Sequence, residues 1–354
     1  MAKAEGALRP TLVGRYREVR AATERLCRPL SAEDCALQSM PDASPTKWHL
    51  AHTTWFFETF VLERAVAGYR PLDPQYRYLF NSYYDTIGER HPRPERGMIS
   101  RPSLEEIYDY RGRVDAAMLR LLERERLADE MACVVELGLH HEQQHEELIL
   151  TDLKHVFSRN PLRPAYAADG RRPAGAGTVP LEWVAFPGGI ASIGHDGQAF
   201  HFDNEAPRHR VFLEPFALAS RLVTNGEYRA FVEDGGYERP ELWLSDGWDA
   251  VRQHGWNAPL YWEGHEGGWW SLTLCGMRPL DDAEPACHVS YFESDAYSRW
   301  AGARLPTEAE WEVAASGAPV EGNLAESEIF HPVTAPTRAP RLGQMFGDVW
   351  EWTA

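Results

Sequence analysis

Along the first half of the chain, apolar positions recur three and four residues apart, the spacing that places them on one face of a helix. Leu104, Ile107, Val114, Met118, Leu119 and Leu122 form the clearest such stripe, and Ser103 and Glu106 stand in capping-box relation at its start. A moderately amphipathic segment covers Tyr16 to Leu26. Another begins near Thr46, after the breaker Pro41-Asp42-Ala43-Ser44-Pro45, and continues to about Ala67 before Gly68; the last runs from about Asp129 to Phe157. Four helices of this length predict an antiparallel bundle. The connection from Tyr69 to Pro102 has many prolines and no clear period. A loop that long is functional or disordered, and the pair Tyr83 and Tyr84 beside clustered arginines argues against disorder. The tyrosines either pack the loop onto the bundle or act as phenolic donors; the arginines offer forks for a carboxylate.

The pattern then changes. Ser158 to Pro180 is rich in Arg, Pro, Gly and Ala, centred on Arg171-Arg172-Pro173-Ala174-Gly175-Ala176-Gly177, and reads as an interdomain linker. Beyond it come Gly, Trp and Pro in quantity, short strands such as Trp183 to Phe186 and His209 to Leu213, and short helices opened by capping boxes at Thr224 and Glu227, Ser290 and Glu293, and Thr307 and Glu310. The expected fold class is α+β: a four-helix bundle over 1–158, a linker over 159–181 and an irregular mixed α+β domain over 182–354. No GxGxxG opening a helix, Walker loop or GxSxG elbow occurs, so nucleotide binding and serine hydrolysis lack support.

Composition agrees with two domains and narrows the partners. A chain of 354 residues exceeds one ordinary core. A net charge of −17, with no offsetting basic stripe, argues against nucleic acid or anionic membrane as a main partner. Five cysteines without a CxxC pair suit a reducing compartment. No run is long enough to span a bilayer and Met1 to Pro10 lacks the apolar core of a signal peptide, so a cytoplasmic protein is expected.

Candidate chemistry concentrates in His140-His141-Glu142-Gln143-Gln144-His145-Glu146-Glu147. His141 and His145, four apart, present two imidazoles on one helix face at a spacing that suits a single metal ion. The same letters spell the HExxH pattern of zinc peptidases, in which the glutamate is the general base. A polar, solvated helix face is the plain alternative. A third ligand has to come from another element, and His49 and His52 on the second helix, one turn apart, are both placed to provide it.

At the level of longer motifs a family resemblance emerges. Asn204-Glu205-x-Pro207, Val223-Thr224-Asn225-x-x-Tyr228, Val289-Ser290-Tyr291, the run from Trp300 through Arg304-Leu305-Pro306-Thr307 to Glu312, and Gly347-Asp348-Val349-Trp350-Glu351-Trp352-Thr353 resemble the formylglycine-generating-enzyme and sulfatase-modifying-factor fold, which is C-type-lectin-like. The N-terminal part looks like a DinB-like four-helix bundle. That pairing, in that order, resembles the ergothioneine-biosynthesis sulfoxide synthases, also called hercynine oxygenases.

The resemblance implies a non-haem iron(II) enzyme that uses dioxygen to join cysteine sulfur to C2 of the hercynine imidazole, as the sulfoxide. It places the iron ligands on His52, His141 and His145 and sets Gln144 beside the imidazole substrate, with His49 and His140 as neighbours. Asn81-Ser82-Tyr83-Tyr84 resembles the subgroup that takes free cysteine, with Tyr83 and Tyr84 near the iron and one of them a proton donor. Arg93 and Arg96 are candidates for the cysteine carboxylate. Ligand type alone does not choose iron over zinc. Against a peptidase, the third histidine lies upstream on another helix, and Leu148 stands where a metzincin has glycine. Alternatives are a synthase acting on histidine in the ovothiol manner, one with a selenium donor, and a metal-binding module without turnover. The chain stops at Trp352-Thr353-Ala354 where such relatives continue. The C-terminal domain is therefore expected to be incomplete, the sequence being either a fragment or a natively short protein; if the tail is missing, so are groups that would hold a trimethylammonium by cation–π contact. The copper-binding cysteines of true formylglycine-generating enzymes lie in the same missing region, and Cys275 and Cys287 are not substitutes for them.

Overall fold

The computed structural model describes residues 11–84, 86–124, 127–167, 179–197, 199–336 and 341–354. The chain divides into two compact units, one ending at Tyr166 and one beginning at Ala167. The centre of the expected linker, 168–178, lies outside the described residues.

Four long helices dominate the first unit among the described residues: α1 (Leu12–Cys27), α2 (Thr46–Phe57), α3 (Leu104–Arg124) and α4 (Asp129–Arg159). Local signals start them. Thr11 Oγ1 caps α1 by accepting from Gly14 N at 3.1 Å, and at α3 the Ser103 N–H donates to Glu106 while Ser103 Oγ accepts from Glu106 N. Helix α2 is buried along its entire length and packs against both α3 and α4, so it has no solvent-exposed face. A π-helical turn, Glu58–Leu62, extends it directly. That wider turn brings the buried Glu58 carboxylate to the hydroxyls of Tyr110 (2.6 Å) and Tyr69 (2.9 Å), so the charge leaves water with its lone pairs met.

The core of the bundle joins Tyr16 and Val19 of α1, Phe56 and Phe57 of α2, Tyr110, Val114 and Met118 of α3, and Val135 and Leu139 of α4. Gly138 lets α4 approach α2: a Cβ there would stand 2.6 Å from Phe57 Cε1 and 2.7 Å from Phe56 Cε1. A glycine inside a helix costs about 1 kcal/mol relative to alanine. Here that loss permits the close contact of the two helices that carry the histidines. The connection 69–102 is more ordered than its sequence suggests, with a short helix at Tyr76–Leu79 and a 3-10 turn at Arg93–Met98. The Asn81 side chain organises its centre, accepting from Tyr84 N and donating to the carbonyls of Tyr84 and Gly88.

In the second unit β1 (Trp183–Phe186) pairs with β4 (Phe216–Ala219), β2 (Gly189–Ile193) with β3 (His209–Leu213), and β5 (Trp262–His265), β6 (Gly268–Thr273) and β7 (Gly276–Pro279) form a meander, all antiparallel. Reciprocal capping boxes open α5 (Asn225–Glu233), α7 (Tyr291–Trp300) and α8 (Glu308–Ala315), at the threonines and serine expected; α6 (Ser245–His254) lies between them. An aromatic cluster of Tyr228, Phe231, Tyr237, Trp243 and Trp262 joins α5, α6, α7 and the meander, while Val184 of β1 packs with Ala314 and Ala315 of α8 in a second, smaller core. The architecture is the mixed α+β arrangement expected from the sequence.

Candidate metal centre

Helix α2 supplies His52 and helix α4 supplies His141 and His145, and the ring nitrogens of the three lie within 4.8 Å of one another. His141 Nε2 stands 3.1 Å from His52 Nε2 and 3.1 Å from His145 Nε2. Burial pushes all three imidazoles below their ordinary range, His141 to about 4, and the neighbouring rings add to the effect at His52 and His145. The rings are therefore neutral, each with one lone pair.

Hydrogen bonds decide which nitrogen carries it. His52 Nδ1 donates to the Phe80 carbonyl at 2.5 Å, which leaves Nε2 bare. His145 Nδ1 is engaged at 2.8 Å by His49, so its Nε2 also faces inward. His141 Nδ1 is buried without a hydrogen-bond partner among the described residues. Converging lone pairs without protons between them repel, and a cation at their meeting point removes the repulsion. At a metal–imidazole length of about 2.1 Å, nitrogens on adjacent corners of an octahedron stand about 3.0 Å apart, and on a tetrahedron about 3.4 Å. The separations of 3.1 Å are closer to the octahedral figure. The donor set thus fits a single metal ion, with both separations from His141 near that of adjacent octahedral corners.

Aromatic packing fixes the rings. Trp48 stacks on His52 with centroids 4.6 Å apart and planes 11° from parallel, Trp55 lies against the same imidazole, and Phe56 packs on His141. These large side chains come from one helix, so the sequence that buries α2 also restrains the site.

Glu142, the general base of the HExxH pattern, is turned away from the triad. It is fully buried, accepting from Arg111 Nη2 (2.6 Å), Thr23 Oγ1 (2.7 Å) and Arg20 Nη1 (2.8 Å). Burial alone would raise its carboxyl, yet the two guanidiniums outweigh that and hold it down to about 2. A carboxylate committed to two arginines is a poor proton acceptor for a water on the metal.

The other expected site residues are less tightly gathered. Gln144 is exposed on α4, one turn beyond His141. Tyr84 packs on Trp55 and Phe56, the rings that in turn touch His52 and His141, and burial raises its phenol. Tyr83 is 70% exposed, with Arg93 donating to its hydroxyl at 3.1 Å and the Arg90 guanidinium over its ring. Arg96 is buried, lies 3.4 Å over the centre of the Trp48 ring and donates to Ser44 Oγ and Ser82 Oγ; its Nε lacks a partner among the described residues. His140 faces Arg15, away from the cluster. Sequence reasoning missed Asp152, whose Oδ2 lies 3.1 Å from His49 Nε2. The signal was present: Asp152 is two helical turns beyond His145, on the same face.

Comparison with known proteins covers both units. Residues 15–149 match the DinB superfamily and residues 173–339 the sulfatase-modifying factor enzyme 1-like domain. The hercynine oxygenase of Mycolicibacterium smegmatis is 33% identical over 95% of this chain and 82% of its own length. That of Mycobacterium tuberculosis is 34% identical over 94% of this chain and 81% of its own. A formylglycine-generating enzyme of Thermomonospora curvata is 37% identical over 38% of this chain and 48% of its own.

Proposed function

Since this chain belongs to the hercynine oxygenase family, we propose that it joins the sulfur of cysteine to C2 of the hercynine imidazole and oxidises that sulfur to the sulfoxide, with iron(II) held by His52, His141 and His145. The stoichiometry closes with one dioxygen. The thiol and the C2–H each lose hydrogen, one oxygen atom ends on sulfur, and the other leaves as water. The observation that carries the proposal is the convergence of three buried imidazoles from two helices, with His52 Nε2 and His145 Nε2 each 3.1 Å from His141 Nε2. Imidazole suits zinc as well as iron, so the choice of iron rests on the family.

Bound there, iron(II) would supply electrons and open coordination positions for the reaction. Everything else falls to side chains of the protein. His52, braced by the Phe80 carbonyl and the Trp48 ring, holds its donor atom still. Arg96, a buried guanidinium with a free Nε, and Arg93 beside it are assigned to the carboxylate of cysteine, where a planar fork fixes orientation as well as charge. Gln144 is assigned to the imidazole of the acceptor. Tyr84, whose burial keeps it a phenol, is assigned to deliver a proton to reduced oxygen, with Tyr83 at the exposed edge of the same loop.

The test is iron-reconstituted protein given hercynine, cysteine and air, with oxygen uptake and product mass followed together. Coupled uptake and a product carrying one added oxygen on the new C–S bond are expected. Protein that holds iron yet consumes no oxygen with both substrates present would instead be a metal-binding module.

A further inference from the structure

We infer that His49 and Asp152 form an orienting relay behind His145, fixing the tautomer and the ring angle with which His145 faces the metal. The inference rests on the three-histidine reading of the centre. Its parts are all buried or nearly so: His49 is 2% exposed, His145 8% and Asp152 8%. His145 Nδ1 lies 2.8 Å from His49 Nδ1, and His49 Nε2 lies 3.1 Å from Asp152 Oδ2. The Ser44 backbone N–H donates to the same Oδ2 at 2.8 Å.

Proton bookkeeping allows one arrangement in which every donor meets an acceptor and both rings are neutral. The Asp152 carboxylate accepts only, so the His49 proton sits on Nε2. His49 Nδ1 is then a bare acceptor, and the proton between the two rings belongs to His145 Nδ1. That leaves the His145 lone pair on Nε2, the atom 3.1 Å from His141 Nε2. Without the relay nothing selects this tautomer, and the ring is free to place N–H where the cation belongs. His52 gains the same service from a backbone carbonyl, so two of the three ligands are locked by different devices. The relay differs from a direct carboxylate–histidine pair in having a second imidazole between anion and ligand. Trp48 packs edge-on against His49 and holds that ring in place. Losing an outer partner of this kind typically weakens metal binding 10- to 100-fold.

A competing role for Asp152 is purely architectural, since it ties α4 to the residues just before α2 through Ser44. Cobalt(II) alone, titrated into the full chain and followed by its d–d absorption, separates the two. His49→Phe and Asp152→Ala are expected to bind cobalt about 10- to 100-fold more weakly than the parent, with an altered d–d spectrum. His49→Asn, whose Oδ1 accepts near the position of Nδ1, and Asp152→Asn, whose amide oxygen can accept from both Ser44 and His49, should recover most of the affinity. Parent affinity in His49→Phe, with cobalt lost in His52→Ala, would overturn the relay and leave the centre standing. Equal cobalt uptake by the parent and His52→Ala would overturn the centre and the relay together. Failure of both asparagine variants to recover affinity, in chains with parental far-UV circular dichroism, would assign the loss to packing and also overturn the relay.

Discussion

Glu142→Gln distinguishes a structural carboxylate from a catalytic one. In the parent, one Glu142 oxygen accepts from Arg111 and Thr23 and the other from Arg20, all within 2.8 Å and out of water. Glutamine keeps one acceptor but turns an amide N–H₂ toward a guanidinium, so one charge-assisted bond becomes a donor–donor contact and two buried cations lose an anion. Removing one partner of a buried ion pair costs about 3–5 kcal/mol. Asp115, which accepts from Arg20 Nε at 2.7 Å, still neutralises part of that charge, so the lower end, about 3 kcal/mol, is expected. With an m-value of about 2 kcal/mol/M in urea, the unfolding midpoint of the bundle should fall by about 1.5 M. The assay is equilibrium unfolding by far-UV circular dichroism with chelator present in both samples, so that metal linkage does not contribute. Folded variant should bind iron as the parent does. A midpoint within about 0.3 M of the parent would refute the reasoning, as would intact stability with peptidase-like loss of a metal-dependent hydrolysis.

Three further outcomes follow from the packing and the thiols. Gly138→Ala places a methyl against Phe56 and Phe57, and overpacking of about 1–3 kcal/mol outweighs the helix-propensity gain of about 1 kcal/mol, so both the urea midpoint and iron retention should fall; a variant more stable than the parent would contradict the close approach of α2 and α4. Tyr84→Phe should slow product formation by about 10²-fold or more while iron content stays unchanged; wild-type turnover measured by product mass would remove Tyr84 from the proton path. Burial pushes the Cys27 and Cys35 thiols up to about 12, so brief alkylation at mildly basic pH should label exposed Cys133 and spare those two; peptide mapping that finds Cys27 labelled first would show that this part of the bundle opens readily.

What the sequence disclosed depended on how local each signal was. The capping boxes at Ser103, Thr224, Ser290 and Thr307 are settled within four residues, and each opens a helix in the structure. His141 and His145 were visible because one helix turn brings them together. The choice between His49 and His52 was not visible from spacing, since both lie on a helix buried all round and only the position of α4 separates them. His52 reaches the cluster, whereas His49, one turn earlier, meets the back of His145. The π-helical turn after α2 was hidden for a similar reason: an apolar run gives no period by which to detect one extra residue. The β5–β7 meander went unread because its glycines and tryptophans show no strict alternation, and its register is set by pairing between strands.

Iron(II) binding by the parent and by His52→Ala, measured by anaerobic equilibrium dialysis, tests the account most directly. One ion per chain in the parent, and none retained by the variant at a concentration that saturates the parent, is the expected result. Undiminished iron in His52→Ala would mean that His52 is not a ligand, and the centre built from His52, His141 and His145 would have to be abandoned.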